Sequence, residues 1–166
     1  RNCDWSSDVC SSDLRLVIFR TGIVLAKEGG ALAEFIKPLR FGIAPILGTG
    51  KQIISWIHIA DLCSMFEMAL EKENTNGIYN AVAPHPVSNK TLMLALAKQL
   101  NGRFFLSIRV PAFLLKMILG EMSIEVLKSA TAGSEKIIKE GFSFQFNKIN
   151  QALSDLFTRR RKERKE

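Results

Sequence analysis

Apolar and polar residues along the chain follow two alternating patterns, one typical of buried strands and one typical of amphipathic helices. Leu16–Phe19 is short and continuously apolar, as in a strand buried on both faces of a parallel sheet. Helical spacing of apolar residues predicts helices at Ala31–Arg40, at Asp61–Glu71, and from a cap at Ser88 or Asn89 to Asn101. The apolar face predicted for the second helix consists of Leu62, Met65, Phe66, Ala69 and Leu70.

Runs of β-forming residues predict further strands at Ile53–Ile59, Ile78–Val82 and Phe104–Ile108. Later helices are predicted from Pro111 to Leu119, at about Ser123–Ala130, at Ser134–Glu140 and from about Asn147. Between the last two, Gly141–Phe146 alternates like a half-buried strand or an extended segment. Strands that alternate with helices indicate an α/β fold.

The first fourteen residues, Arg1–Leu14, are polar, rich in Ser and Asp, and without periodicity. They resemble a translated sequencing-adapter artefact; a genuine disordered leader is the alternative. Cys3 and Cys10 lie in this stretch, which leaves only Cys63 in the body of the chain. A disulfide or a cysteine metal site is therefore not expected, and Cys63 is predicted to be a small core residue.

Composition and charge narrow the class of protein. The chain has 166 residues, 47% of them hydrophobic, which suffices for one ordinary domain core. It has no apolar run long enough to span a membrane and no secretory signal pattern, so a cytoplasmic protein is expected. The net charge is +7, and the tail Thr158–Glu166 has six basic and two acidic residues. The tail could bind nucleic acid or an acidic partner, but a solvated helix end explains it equally well, and specific nucleic-acid binding is not expected.

The most specific motif is the loop Gly48-Thr49-Gly50, followed by a strand and then by Asp61 in the first turn of a helix. This segment resembles the one that closes the substrate pocket in extended short-chain dehydrogenase/reductases. Three other blocks resemble the "epimerase family" branch of that group, whose members end in a domain of unknown function. These blocks are Arg20–Leu25, Leu119–Met122 and Glu140–Phe144.

The resemblance implies the carboxyl-terminal part of a Rossmann-type NAD(P)-binding fold, followed by a small, mostly helical α/β substrate domain. The implied division is 1–14 as leader, 15–110 as the Rossmann-type part, 111–157 as the domain of unknown function, and 158–166 as basic tail. No Gly-x-Gly-x-x-Gly turn follows any predicted strand, and Tyr79 is the only tyrosine, with Ala83 four positions later. The cofactor glycines and the Tyr-x-x-x-Lys pair of the family are thus expected upstream of Arg15. No catalytic residue or metal ligand is expected here, and the chain alone is predicted to be inactive and not to bind NAD(P) tightly.

Candidate binding residues follow from these motifs. Thr21 and Gly22 lie just past the carboxyl end of a strand, where ligands bind in open α/β sheets, so they are predicted to lie near the nicotinamide. A plain strand terminus is the alternative. Lys51, Gln52, Trp56 and His58 are predicted to line the substrate pocket, although each also has a structural interpretation as a solvated loop, a packing aromatic or a hydrogen-bonded histidine. Asp61 is expected to stabilise the start of its helix.

The substrate itself is an unidentified small molecule. Ile53-Ile54-Ser55 stands where nucleotide-sugar enzymes hold a diphosphate with an arginine or polar group, which argues against a nucleotide sugar. The competing function is a non-catalytic NAD(P)-sensing or partner-binding protein that docks through its basic tail. A third hypothesis is an autonomous binding module. Against it, the Leu16–Phe19 strand without neighbours would expose apolar edges, so the isolated chain is expected to be poorly soluble or molten.

Overall fold

A computed structural model describes residues 15–27, 29–102, 104–111 and 131–163. The strands are β1 (Val17–Thr21), β2 (Ile23–Leu25), β3 (Ile43–Leu47), β4 (Ile53–Ile54), β5 (Trp56–His58), β6 (Gly77–Ala81), β7 (Val87–Ser88) and β8 (Leu106–Val110). The helices are α1 (Gly30–Leu39), α2 (Ile59–Glu71), α3 (Asn89–Asn101), α4 (Glu135–Lys139) and α5 (Ile149–Glu163). The order of strands and helices confirms the predicted α/β class.

The strands form four pairs. β1 pairs with β6, β2 with β5 and β3 with β8, all parallel, whereas β4 pairs with β7 in antiparallel orientation. Only Gly22 separates β1 from β2, yet the two strands have different partners: Thr21 lies opposite Ala81 of β6, and Ile23 lies opposite Trp56 of β5. The chain therefore changes its hydrogen-bonding neighbour within a single residue.

Two apolar clusters make up the core of the described residues. The first joins α1 and α3 to α5 and β5, and its fully buried members include Leu32, Trp56, Leu92, Leu96 and Leu153. The second lies between α2 and β6, with Ile57, Met65, Tyr79, Ile137, Phe142 and Phe144 among its members. Residues after 131 contribute to both clusters. The carboxyl-terminal part is thus packed into the same cores as the preceding strands and helices.

Some predicted elements differ from the structure. β3 was not predicted because it contains Pro45, which lacks a backbone N–H and normally argues against a strand. The predicted strand Ile53–Ile59 is interrupted at Ser55, and the strand predicted at Phe104–Ile108 begins two residues later. Gly141–Phe146 is not part of any strand pair. The helices predicted between Pro111 and Ala130 lie outside the described residues, apart from Pro111 itself.

The start of α3 is capped as predicted, by Ser88. Its side chain accepts a hydrogen bond from the backbone N–H of Thr91 at 3.1 Å. Replacing Ser88 by alanine removes that acceptor and is expected to weaken the first turn by about 1 kcal/mol. Hydrogen exchange of the Thr91 amide should then be roughly fivefold faster. Ser88→Asn keeps a capping oxygen and should exchange at nearly the original rate; equal acceleration in both variants would contradict this account.

Candidate functional site

Three segments of the sheet meet around Gly22. Its backbone N–H donates to the carbonyl of Ala81 at 3.3 Å, and the next residue, Ile23, donates to the carbonyl of Ser55 at 2.9 Å. On the far side, Ala83 donates to the carbonyl of Trp56 at 2.6 Å. The carboxyl ends of β1 and β6 therefore lie against the beginning of β5. In open α/β sheets, ligands bind outside the carboxyl ends of the strands, at the point where the strand order reverses.

Thr21 and Gly22 occupy this point with different surroundings. Thr21 is exposed at the carboxyl end of β1. At Gly22, a Cβ atom would lie only 2.5 Å from the carbonyl oxygen of Ser55 and 3.0 Å from Cγ1 of Val82. Glycine is required there because β1 and the residue before β5 approach so closely. Thr21 is the one of the two whose side chain is available to a ligand, and its contact with nicotinamide stays a prediction.

The carboxyl-terminal part reaches the same point through residues 131–134. The backbone N–H of Ala132 donates to Oγ of Ser55 at 3.1 Å, and Nδ2 of Asn80 donates to the carbonyl of Gly133 at 3.0 Å. Ser134 is buried next to them. This contact could not be predicted from the sequence, because side chains that bind a backbone group more than fifty residues away leave no local pattern.

Most contacts of the residues in and just after the glycine loop are structural, and few of their side chains are open to a ligand. Gln52 is buried, and its Nε2 donates to the carbonyl of Leu47 at 2.9 Å. Gly50 has φ 71°, and a Cβ there would lie 2.5 Å from Cγ2 of Ile46. Lys51 has an exposed side chain while its backbone N–H donates to Oγ1 of Thr49 at 3.3 Å. Of the two predicted loop residues, Lys51 is the one that a solute can reach.

Trp56 and His58 are both buried. Trp56 packs in the first cluster and donates from Nε1 to the carbonyl of His85 at 3.0 Å. His58 is the N-cap of α2, and its Nδ1 accepts from the backbone N–H of Ala60 at 3.1 Å. Because Nδ1 accepts, the proton of the neutral ring is on Nε2, which lies 3.6 Å from Oδ2 of Asp155. Stacking on Phe146, with ring centroids 3.9 Å apart, completes the surroundings of His58.

Asp61 forms the second contact between α2 and the carboxyl-terminal part. It is fully buried in the first turn of the helix. Its Oδ1 accepts from the backbone N–H of Gln145 at 2.7 Å, and its Oδ2 accepts from that of Phe146 at 3.1 Å. The expected position at the helix start is correct. The carboxylate also holds the extended Gly141–Phe146 segment in place, which the sequence did not reveal.

The side chain of Tyr79 makes packing contacts with Glu140 and Lys136. Its hydroxyl lies 3.5 Å from Oε1 of Glu140, and Nζ of Lys136 lies 4.1 Å from the ring centroid while donating to the carbonyl of Ile78. The lysine thus sits over the ring face, where it makes a cation–π contact, and its N–H groups are directed to a carbonyl. A tyrosine activated for proton transfer needs the cation at its hydroxyl. This spatial Tyr–Lys pair is accordingly a packing contact.

Cys63 is exposed, so its predicted place in the core was wrong. Within the described residues, no group of three or more His, Cys, Asp or Glu side chains is arranged to hold a metal ion. None of the described helices is both long and apolar enough to cross a membrane.

The sequence of this chain is similar to those of several known proteins. Residues 110–156 match the family model described as a domain of unknown function, DUF1731. The epimerase family protein YfhF of Bacillus subtilis is 36% identical over 148 residues, which are 89% of this chain and 48% of the relative. Mouse epimerase family protein SDR39U1 is 32% identical over 143 residues, 86% of this chain and 48% of its own length. The chain therefore spans about half the length of the curated relatives it matches.

Solved structures agree with the fold. The crystal structure of human epimerase family protein SDR39U1 with NADPH superposes with a TM-score of 0.80 at 29% identity, covering 87% of this chain and 48% of that one. UDP-N-acetylglucosamine 4-epimerase from Bacillus cereus superposes with a TM-score of 0.63 at 14% identity, over 87% of this chain and 46% of its own, and shows the shared fold alone. The chain has the Rossmann-like α/β fold of these proteins and is similar in sequence to epimerase-family proteins over nearly its whole length.

Proposed function

We propose that this chain, with the fold and sequence similarity of epimerase-family proteins, is the substrate-facing half of an NAD(P)-dependent epimerase or oxidoreductase acting on an unidentified small molecule. The observation that carries the proposal is the meeting of β1, β6 and β5 at Gly22, beside which Thr21 is exposed. The human relative was crystallised with NADPH, which supports an NAD(P)-dependent parent.

The residues present fit only the nicotinamide side of such a cofactor. Thr21 is exposed at the carboxyl end of β1 and would contact the carboxamide of the nicotinamide ring or the adjoining ribose. The sequence has no glycine-rich turn for the pyrophosphate and no Tyr-x-x-x-Lys pair. When bound, NAD(P) supplies the hydride acceptor or donor for the reaction. The groups that bind its phosphates and move the proton belong, in this proposal, to the other half of the enzyme.

The chain's own residues would position the substrate. Asp61 and His58 hold the carboxyl-terminal part against α2, and Ser55 and Asn80 hold residues 131–134 beside the strand ends. In this proposal, these contacts hold a wall of the substrate site beside Thr21. A wall fixed in this way keeps a small substrate oriented toward the nicotinamide, and orientation is itself a large part of catalysis.

A single-chain fusion tests this proposal. The amino-terminal half of the Bacillus subtilis relative, up to the residue aligned with Arg15, is joined to residues 15–166. We expect the fusion to bind NADPH, as measured by enhancement of nicotinamide fluorescence, and the present chain alone not to bind it. Thr21→Glu in the fusion should weaken binding about tenfold, because it places a carboxylate at the expected cofactor site.

Ser154→Glu provides the matched control, since Ser154 is exposed on α5 and the change adds the same charge. Binding by this control should equal that of the unmodified fusion. A folded fusion that binds no NADPH, or a Thr21→Glu variant that binds as well as the control, would show the proposal to be wrong.

A further inference from the structure

The turns that precede β3 and β8 place two phenylalanine side chains almost completely in solvent. Phe41 is 83% exposed and Phe104 is 90% exposed, which makes them the most exposed large apolar side chains of the described residues. A backbone hydrogen bond of 2.8 Å, from the N–H of Leu106 to the carbonyl of Gly42, joins the two chain segments. Because β3 and β8 are parallel, both phenylalanines lie at the same end of the strand pair.

Further apolar side chains are exposed on one face of the β3–β8 pair. Successive side chains of a strand point to opposite faces. Ala44 packs in the first cluster, so its neighbour Ile43 lies on the other face, together with Leu106 opposite it in the register. Ile43, Leu106 and Ile108 are 38%, 64% and 41% exposed. With the two phenylalanines they present on the order of several hundred Å² of apolar area, a size that marks interaction sites. We call these five residues the Phe41–Phe104 surface: Phe41, Ile43, Phe104, Leu106 and Ile108.

Basic residues accompany this surface, and acidic residues do not. Residues 40–43 and 98–110 include four lysines and arginines and no aspartate or glutamate. Arg40 directly precedes Phe41, and Lys98 lies in the last turn of α3; both side chains are exposed. An apolar surface bordered by positive charge is complementary to a partner that combines apolar groups with negative charge.

We propose that the Phe41–Phe104 surface binds an anionic lipid membrane. The rings of Phe41 and Phe104 enter the boundary between headgroups and acyl chains, and Arg40 and Lys98 lie against the headgroups. Binding of this kind gains from buried apolar area and from attraction to anionic lipids, and it needs no membrane-spanning helix. The inference adds a location at a membrane to the proposed function and does not depend on it.

Other occupants fit this surface less well. A second copy related by a two-fold axis would place the same patch on both sides of the contact, so Arg40 and Lys98 would meet their own counterparts and repel them. A protein partner would need an apolar pocket for each ring with acidic groups beside it. A lipid surface provides apolar chains below anionic headgroups at every point, so it matches both features at once.

Sedimentation with lipid vesicles tests the proposal on the full chain. Binding is measured with vesicles of phosphatidylcholine alone and with vesicles that also contain phosphatidylserine. We expect binding to the anionic vesicles to be about tenfold tighter and to weaken as salt is added. Phe104→Glu should weaken this binding about tenfold, because a ring that would enter the membrane is replaced by a carboxylate. Since Phe104 is 90% exposed, the variant should keep the circular dichroism spectrum of the parent chain.

Two matched controls separate this surface from general exposure of apolar and basic residues. Leu70→Glu makes the same kind of change on α2, at a residue that is 78% exposed, and should leave vesicle binding unchanged. Lys98→Ala should weaken binding to the anionic vesicles roughly fivefold. Lys139→Ala also removes an exposed lysine from the last turn of a helix, but outside the surface, and should have no effect.

Several outcomes would overturn the proposal. These are no binding to vesicles, equal binding to both kinds of vesicle, and equal losses in Phe104→Glu and Leu70→Glu. Self-association of the full chain that Phe104→Glu abolishes, measured by sedimentation equilibrium, would identify a second copy as the occupant and would also overturn it. NADPH binding by the fusion is a separate measurement, which Phe104→Glu should leave unchanged. Failure of the membrane inference and failure of the proposed function are therefore distinguishable.

Discussion

Replacing Asp61 by alanine should lower the free energy of unfolding by about 3 kcal/mol, because two backbone N–H groups lose a buried charged acceptor at once. These are the N–H groups of Gln145 and Phe146. The carboxyl-terminal segment would then detach from α2, and Phe146 would no longer be held against His58. Urea unfolding of the fusion, followed by circular dichroism, measures the loss.

Two companion variants make the result specific. Asp61→Asn keeps one carbonyl oxygen and should cost less than Asp61→Ala. Glu67→Ala removes an exposed carboxylate from the same helix and should change stability by no more than about 0.5 kcal/mol. If Asp61→Ala were no more destabilising than Glu67→Ala, the carboxylate would not hold the segment.

Gly22→Ala should be comparably damaging for a different reason. The added methyl group would lie 2.5 Å from the carbonyl oxygen of Ser55, so the backbone must separate where β1 passes its neighbours. We expect a loss of about 3 kcal/mol, at the upper end of overpacking costs because the obstructing atom is backbone. NADPH affinity of the fusion should fall as well, since Thr21 shifts with Gly22. Urea unfolding and fluorescence titration measure the two effects.

Gly29→Ala is the control for this variant. Gly29 has φ 79°, but a Cβ there would meet no atom within 4 Å. Its substitution should therefore cost only backbone strain of roughly 1–3 kcal/mol, because φ 79° with ψ −166° is a conformation almost confined to glycine, and should leave NADPH affinity unchanged. An equal loss of NADPH affinity in both variants would contradict the close approach of the strands as the cause of the effect at Gly22.

Local periodicity predicted most of the fold because helices and strands impose spacings that depend on near neighbours. α3 with its Ser88 cap and β6 were visible in this way. α2 was predicted with the correct end, and its predicted apolar face is confirmed at Met65 and Ala69, which are buried, but not throughout. Its predicted apolar face included Phe66 and Leu70, which are exposed, and its predicted core residue Cys63 is exposed as well. When a helix has apolar residues on two sides, its own sequence does not show which of the two sides is buried.

The candidate site was less predictable because its contacts are long-range. Thr21 could be placed from the end of an apolar run, since strand ends and ligand sites coincide in this class of fold. The bonds of Asp61 to residues 145 and 146, and of Ser55 to Ala132, join positions more than seventy residues apart. Such contacts depend on the path of the whole chain. Pocket roles for Gln52, Trp56 and His58 were drawn from a motif and stay predictions; the structure shows that all three side chains are buried.

The way in which Asp61 holds the extended segment has an evolutionary consequence. The carboxylate binds main-chain N–H groups, which every residue except proline provides. Mutations at the exposed positions 143 and 145 can therefore accumulate without loosening the attachment, whereas position 61 has no such latitude. In proteins that share this architecture, the outward side chains of the segment are expected to vary freely. Proline should be absent from positions 145 and 146, and an acidic residue should be retained at position 61.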